Sequence, residues 1–446
     1  MGSTSGNWRP SSSSSCGWSG VTRLAHAAAL GFSPLDEELG LLPGKLTPRL
    51  QQAVVRLGTW IPFERAAGEL EDLLGVQLSE PRVRRLTEKA GAALVAVQEA
   101  EVARLERVAP CAPAGPALQL LSVDGAMVPL VGREWTEVKT LALGAVTLEL
   151  AAGRGAQVIK TSELSYFSRC LDSAEFTRQA LVETQRRGLE QAAHGAAVCD
   201  GAEWEQKFIA YHRPDAVRIL DFPHASEYVA ACGRSVYGEG SAEFRRWFDT
   251  QRHQLRHGEE AAVLAELRRL AEQAPTSQAL LEEKLQYLTK RREMIRYAEF
   301  VAAGYPIGSG SVESANKVVI QARLKQAGMH WASAHVNPMA ALRNVACNER
   351  WTEAWPQIAA QLRQERLSQR LQKHLPPLPT LPAIKADESK RKNTPLPAGS
   401  PAIESSGKEQ KARQQGSRPA PDHPWRKFSF GKGRFRDFTK GGSAKS

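Results

Sequence analysis

The 446-residue chain has no run of about 18 apolar residues, so the sequence excludes a membrane-spanning helix. Its first ten residues carry no apolar h-region and lead into Ser11–Ser15, so no secretory signal is expected. Cysteine is scarce: the six stand at 16, 111, 170, 199, 232 and 347, with no CxxC pair. That spacing excludes a disulfide framework and a zinc ribbon, and it fits a reducing cytoplasm. Two familiar catalytic signatures are absent as well. Ser314-Ala-Asn-Lys317 matches SxxK in form, but its companion boxes are missing. His253 and His257 have zinc-pair spacing without the Glu of a zincin helix. Hydrophobic residues make up only 42%, which leaves part of the length too polar to fold. No internal repeat is visible.

What the chain does have is positive charge, 59 Lys and Arg against 48 Asp and Glu, for a net of +11. Such an excess favours a polyanionic partner. It is concentrated at one end. Residues 386–446 hold 14 basic and 6 acidic residues, a net of +8, in a Ser/Gly/Pro-rich context that cannot bury a core. Residues 376–446 therefore read as a disordered basic tail. Within it, Phe428, Phe430, Phe435 and Phe438 alternate with Arg and Lys, a pattern suited to stacking on bases. A plain solubility tail would look the same. Residues 1–33 are Ser/Gly-rich and read as a disordered, degenerate N-terminus.

Between these ends the pattern divides. In 34–109, helical spacing over Thr47–Leu57 and Phe63–Leu74 is broken at Gly75, and Ser79 offers a new N-cap. The following helix turns Arg82, Arg84 and Arg85 outward, as a DNA-reading helix-turn-helix would. A structural helical pair shows the same features. From 117 to 226, Leu118–Val123, Glu137–Val146, Ala196–Cys199 and Ala216–Leu220 read as strands, with helical spacing over Ser173–Ala193. Residues 227–303 read as all helix, and 304–375 as a closing part that opens with a Gly/Pro loop and a helix from Ser311. Strands alternating with helices make this an α/β fold with a helical insertion.

Three carboxylates occupy comparable positions. Asp124 and Asp200 each end an apolar strand and precede Gly, while Glu313 lies in the first turn of a helix. Carboxylates at the C-terminal ends of parallel strands face the crevice where ligands bind. Three of them converging supply the hard oxygen ligands that Mg2+ prefers, with Mn2+ able to replace it. Two such ions about 3.5–4 Å apart serve phosphodiester chemistry.

Four segments carry a family resemblance: LSVDGAMVPLVGREWTEVKTLALGAV, VCDGAEW, YHRPDAVRILDFPHASEY and YPIGSGSVESANK followed by ARLKQAGMHW. From about Pro34 to Trp355 the chain resembles the DDE transposases of bacterial insertion sequences, in particular the ISKra-type group. The resemblance implies an RNase H-like mixed sheet with a helical insertion before the last acidic residue. It also implies a metal-binding catalytic triad of Asp124, Asp200 and Glu313. Asp221 and His224 match an acidic-x-x-His signature, with His224 placed near the scissile phosphate and Asp221 either auxiliary or a helix cap. Family members carry a cysteine motif near the N-terminus, and here only Cys16 stands in that region. Lys139, Asn316, Lys317, Arg323 and Lys325 are candidate DNA contacts, and a solvated face explains the last four nearly as well. Trp135 is also a candidate DNA contact, though it reads more as a packed side chain, and Trp331 could pack in the core or stack on an extruded base.

The expected activity is binding of inverted-repeat ends, with strand cleavage and strand transfer by two-metal phosphoryl transfer. The expected partners are double-stranded DNA and further copies of the chain assembled on it, in the cytoplasm. An RNase H-like nuclease without strand transfer, or a DNA-binding remnant without activity, are the alternatives.

Overall fold

The computed structural model describes residues 46–150 and 157–374, together with 23–24, 31–32 and 41–42. The expectations for 376–446, and for 1–33 beyond a two-residue antiparallel ladder of Arg23–Leu24 with Gly31–Phe32, lie outside the described residues. Gly132–Trp135 groups apart from the main unit, and in it Gly132 and Arg133 take φ of 93° and 66°.

The main unit is α/β. Its strands are β1 (Leu118–Pro129), β2 (Trp135–Leu150), β3 (Gln157–Arg169), β4 (His194–Cys199) and β5 (Val217–Leu220). They form one mixed, open sheet in the order β3-β2-β1-β4-β5. The β2/β3 pair is antiparallel, whereas β1/β4 and β4/β5 are parallel. β4 is buried at every position after His194, as expected of a short apolar strand covered on both faces.

The third strand, β3, falls in a stretch that the sequence left unassigned. Its run QVIKTSELSYFSR mixes Lys, Ser, Thr and Glu with its apolar residues, because it is an edge strand. An unpaired edge invites aggregation unless it is covered. Here three asparagines, two on one late helix and one at its C-cap, cover it. Asn348 accepts from the Tyr166 N–H at 2.8 Å and donates to its carbonyl at 2.9 Å. Asn344 donates to the Ser168 carbonyl at 3.2 Å, and Asn337 holds both backbone groups of Cys170 at 2.7 and 3.2 Å.

The N-terminal helices are α1 (Pro48–Trp60), α2 (Phe63–Leu74) and α3 (Glu80–Val108). Thr47 caps the first through the Leu50 N–H, and Gly75 ends the second with φ of 62°. Crossover helices α4 (Ser173–Gln179) and α5 (Leu181–Arg186) precede β4, and α6 (Glu203–His212) joins β4 to β5. Helices α7 (Phe222–Tyr237), α8 (Ala242–Arg256), α9 (Glu260–Gln273), α10 (Gln278–Lys290) and α11 (Tyr297–Ala302) follow β5. They bury Val229, Leu255, Leu267 and Leu288 in one core with Leu120, Val198 and Ile219 of the sheet.

Helix α12 (Gly310–Ala315) runs on through a π-helical segment, Asn316–Gln321, to Ala322–Leu324. Helices α13 (Ser333–Cys347) and α14 (Trp351–His374) close the described chain. The N-terminal helices share their core with these last two. Val55, Ala90 and Leu94 pack with Leu342, Trp351, Trp355 and Ile358. Gly91 permits that approach, since a Cβ there would sit 2.4 Å from the Pro338 carbonyl oxygen. Among the described residues, no helix is long and apolar enough to cross a membrane.

Candidate active site

The three carboxylates come from β1, the end of β4 and the first turn of α12. Asp200 directly follows β4, as expected. Asp124 does not end its strand: β1 continues to Pro129, while its ladder with β4 stops at Leu121 and Ala197. Continuing that register from Leu121 to Asp124 and from Ala197 to Asp200 brings the two aspartates opposite each other where the strands part.

Asp124 is held on both sides. Its Oδ1 accepts the Gly125 N–H at 2.7 Å, and its Oδ2 accepts the Asn316 Nδ2 at 2.8 Å. Burial, then the Asp200 charge, nevertheless lifts its carboxyl to about 6, with Glu313 adding to the effect. Asp200 is likewise lifted to about 6, first by burial and then by Asp221 and Glu313. The exposed Glu313 therefore acts on both aspartates, and its Oε1 lies 3.4 Å from the Ser309 hydroxyl.

Asp221 and His224 divide their roles. Asp221 is buried and both its oxygens are committed, accepting the Ser309 N–H at 2.6 Å and the His224 N–H at 2.8 Å. It caps α7 and ties that helix to the loop leading into α12, so of the two readings offered above it takes the capping one. The His224 ring packs on Tyr228 at 4.9 Å, and its Nδ1 stands 3.7 Å from Asp200 Oδ2. Burial lowers its pKa more than the surrounding carboxylates raise it, so the ring is neutral at pH 7.

Sequence reasoning missed three contributors. Glu205, on α6, is buried and accepts the Ala202 N–H at 2.9 Å. Burial and the nearby Asp200 raise its carboxyl to about 8. Tyr287 donates its hydroxyl to the Asp200 carbonyl, and Arg291 donates to the Gly201 carbonyl at 2.6 and 3.1 Å. Both lie almost 90 residues beyond the loop they hold, on or just after α10, so no local motif could reveal them. Gly201 itself takes φ of 79°, the conformation that the glycine of the Asp-Gly pair makes accessible.

No family model matches the chain, and no curated protein matches it.

The expected DNA contacts fare unevenly. Lys139 is buried, with its ammonium bonded to Glu137 at 2.7 Å and the Leu171 carbonyl at 3.1 Å, so it is not a surface contact. Asn316 is only 3% exposed and faces Asp124 instead of solvent. Arg323 is 1% exposed, donates to the Gly58 carbonyl at 3.2 and 3.1 Å, and lies over the Phe63 and Trp331 rings. Trp331 is buried against Phe63 and donates to the Leu324 carbonyl, so it packs in the core and is closed to a base. Trp135 is half exposed at 48%, against the expectation of core packing. Lys317, Arg84 and Arg85 are exposed, Arg82 is half-buried, and Lys325 is half-buried with its pKa lowered by desolvation.

Among the described residues, no three His, Cys, Asp or Glu side chains stand close enough to hold an ion as they are. The donor chemistry of Asp124, Asp200 and Glu313 still suits a hard cation. Both aspartates are held near pKa 6, Asp124 partly by the charge of Asp200 and both partly by that of Glu313, and a divalent ion would relieve that repulsion. Closing the set requires side-chain rotation, for which exposed Glu313 has the freedom.

Proposed function

We propose that the chain is a DDE-type DNA transposase whose α/β unit is RNase H-like, and that it cuts and joins strands at the ends of its own element. The observation that carries this reading is the electrostatic convergence of Asp124, Asp200 and Glu313 at the parting of two parallel strands. The strand order supports it too: β3-β2-β1 on one side and the parallel β4-β5 on the other, followed by helices before the Glu-bearing helix.

In this reading Asp124, Asp200 and Glu313 would hold magnesium, which supplies activation of a water or 3′-hydroxyl and stabilisation of the departing oxygen. The protein's own part is placement. Asn316 and the Gly125 N–H fix the Asp124 carboxylate, and Tyr287 and Arg291 fix the backbone that carries Asp200. Neutral His224, beside Asp200, can donate a hydrogen bond to a phosphate oxygen without adding charge, or take up a proton there and become an imidazolium that Asp200 faces. In-line transfer of this kind forms no covalent protein intermediate, so it needs no Ser, Tyr or Cys nucleophile. The partners are double-stranded DNA and further copies of the chain, and the basic tail adds salt-sensitive affinity without reading sequence.

The test uses purified full-length protein, Mg2+ or Mn2+, and duplexes bearing the element's terminal repeats with a target plasmid. Cleavage followed by joining to the plasmid supports the reading. Cleavage without joining leaves a nuclease of the same chemistry, and binding without either leaves an inactive DNA-binding protein.

A further inference from the structure

A second feature lies away from the carboxylates. A cleft of about 550 Å3 opens between the first turns of α3 and the loop that follows Leu324. Arg84 and Arg85 line one wall, and His330 and His335 the other. Two acids answer them, and both are engaged: Glu80 lies 3.9 Å from Arg84, and Glu88 lies 2.7 Å from His335. At the back of the cleft stands Arg323, 1% exposed and in no ion pair among the described residues, with Glu88 the carboxylate that acts on it from a distance. Its fixed charge, bonded only to the Gly58 carbonyl and the Met329 sulfur, adds to the positive field in the opening.

We propose that this cleft binds backbone phosphates of duplex DNA and sets the distance of the duplex from the carboxylates. The inference rests on the DNA reading above, and it changes what the α3 arginines do. A recognition helix has to protrude to enter the major groove. Here the arginine-bearing turns instead form one wall of a cleft whose other wall is the 328–335 segment. The Arg85 Nε is also tied back to the Pro81 carbonyl at 3.2 Å. Such groups suit phosphate oxygens, which position DNA without reading it.

The cleft is fastened to the site by the same strand. The Val131 N–H donates to the Trp331 carbonyl at 3.0 Å, and the Trp331 N–H to the Pro129 carbonyl at 3.1 Å. Asp124 and Val131 are seven residues apart along or just beyond β1, at most about 23 Å at ~3.3 Å per residue. A duplex held in the cleft would reach the carboxylates within about seven base pairs, at ~3.4 Å per pair.

The test measures anisotropy of two labelled duplexes of unrelated sequence over a series of KCl concentrations, with wild type, Arg85→Gln and His330→Glu. Both side chains are exposed, so the variants should unfold at the wild-type temperature. Arg85→Gln should reduce the salt slope by about 1 on both duplexes alike. His330→Glu, on the opposite wall, should weaken both by at least severalfold. On a duplex that wild type cuts, backbone protection should extend from the cut to within about seven base pairs of it and shorten in His330→Glu. The proposal is overturned if His330→Glu binds like wild type, or if Arg85→Gln weakens one duplex only. In either case the transposase reading survives as long as wild type binds and cuts DNA. If wild type binds neither duplex, both fall.

Discussion

Replacing Asp124 by Asn should make the protein more stable while removing its activity. Asp124 titrates near 6 instead of 3.8, a rise of about 2 units, or ~3 kcal/mol counted in full at ~1.36 kcal/mol per unit. The side chain is only half-buried and coupled to Asp200, so about 1–2 kcal/mol is the expected effect. The folded carboxyl has the higher pKa, so its charge costs nothing below pH 3.8. The cost grows between 3.8 and about 6 and is complete above that. The amide is accommodated. It can accept from Gly125, and Asn316 can turn its Oδ1, which has no partner, toward the new Nδ2. Thermal unfolding in EDTA should show Asp124→Asn melting about 2–4 °C above wild type at pH 8 and level with it near pH 3.5. Adding Mg2+ should then stabilise wild type and leave the variant unmoved. An Asp124→Asn variant that melts below wild type at pH 8, or with the same offset at both pH values, would refute the reasoning.

Glu205→Gln should behave likewise at higher pH. The Glu205 carboxyl titrates at about 8, so wild type should lose stability as pH rises toward 8 while the variant does not, as a melting series against pH would show. Asn348→Ala strips the β3 edge of two hydrogen bonds, at a cost of about 2 kcal/mol, read as a lower denaturant midpoint together with faster aggregation. His224→Gln, which keeps a neutral hydrogen-bonding group beside Asp200, should retain DNA affinity and reduce cleavage, measured by pairing a binding isotherm with a single-turnover rate.

Much of this site could be read in the sequence because the signal is local. An apolar run of strand length ending in Asp-Gly marks Asp200, and a Gly/Ser loop before VESAN marks Glu313. The alternation over Glu137–Val146 marks β2, which proved longer at both ends. What escaped depends on distant contacts. β3 has a mixed polar pattern because an asparagine face on α13 completes its edge, and those residues lie well over 160 positions away. Lys139 and Arg323 look like surface cations in sequence, but each is buried by finding carbonyls, a carboxylate or ring faces within the fold. Asn316, next to Lys317 in a polar stretch, shows its role only once β1 delivers Asp124 to it. The opposite error occurred at Asp124, where the strand continues past the apolar run because β1 parts from β4 without ending.

The most direct measurement is strand cleavage by the full-length protein on duplexes carrying the element's terminal repeats, in Mg2+, beside Asp124→Ala, Asp200→Ala and Glu313→Ala. The account predicts a discrete cut at the repeat end by wild type and none by any of the three variants, with duplex binding retained in all. Equal cutting by one of the variants would contradict the shared role given to these three carboxylates.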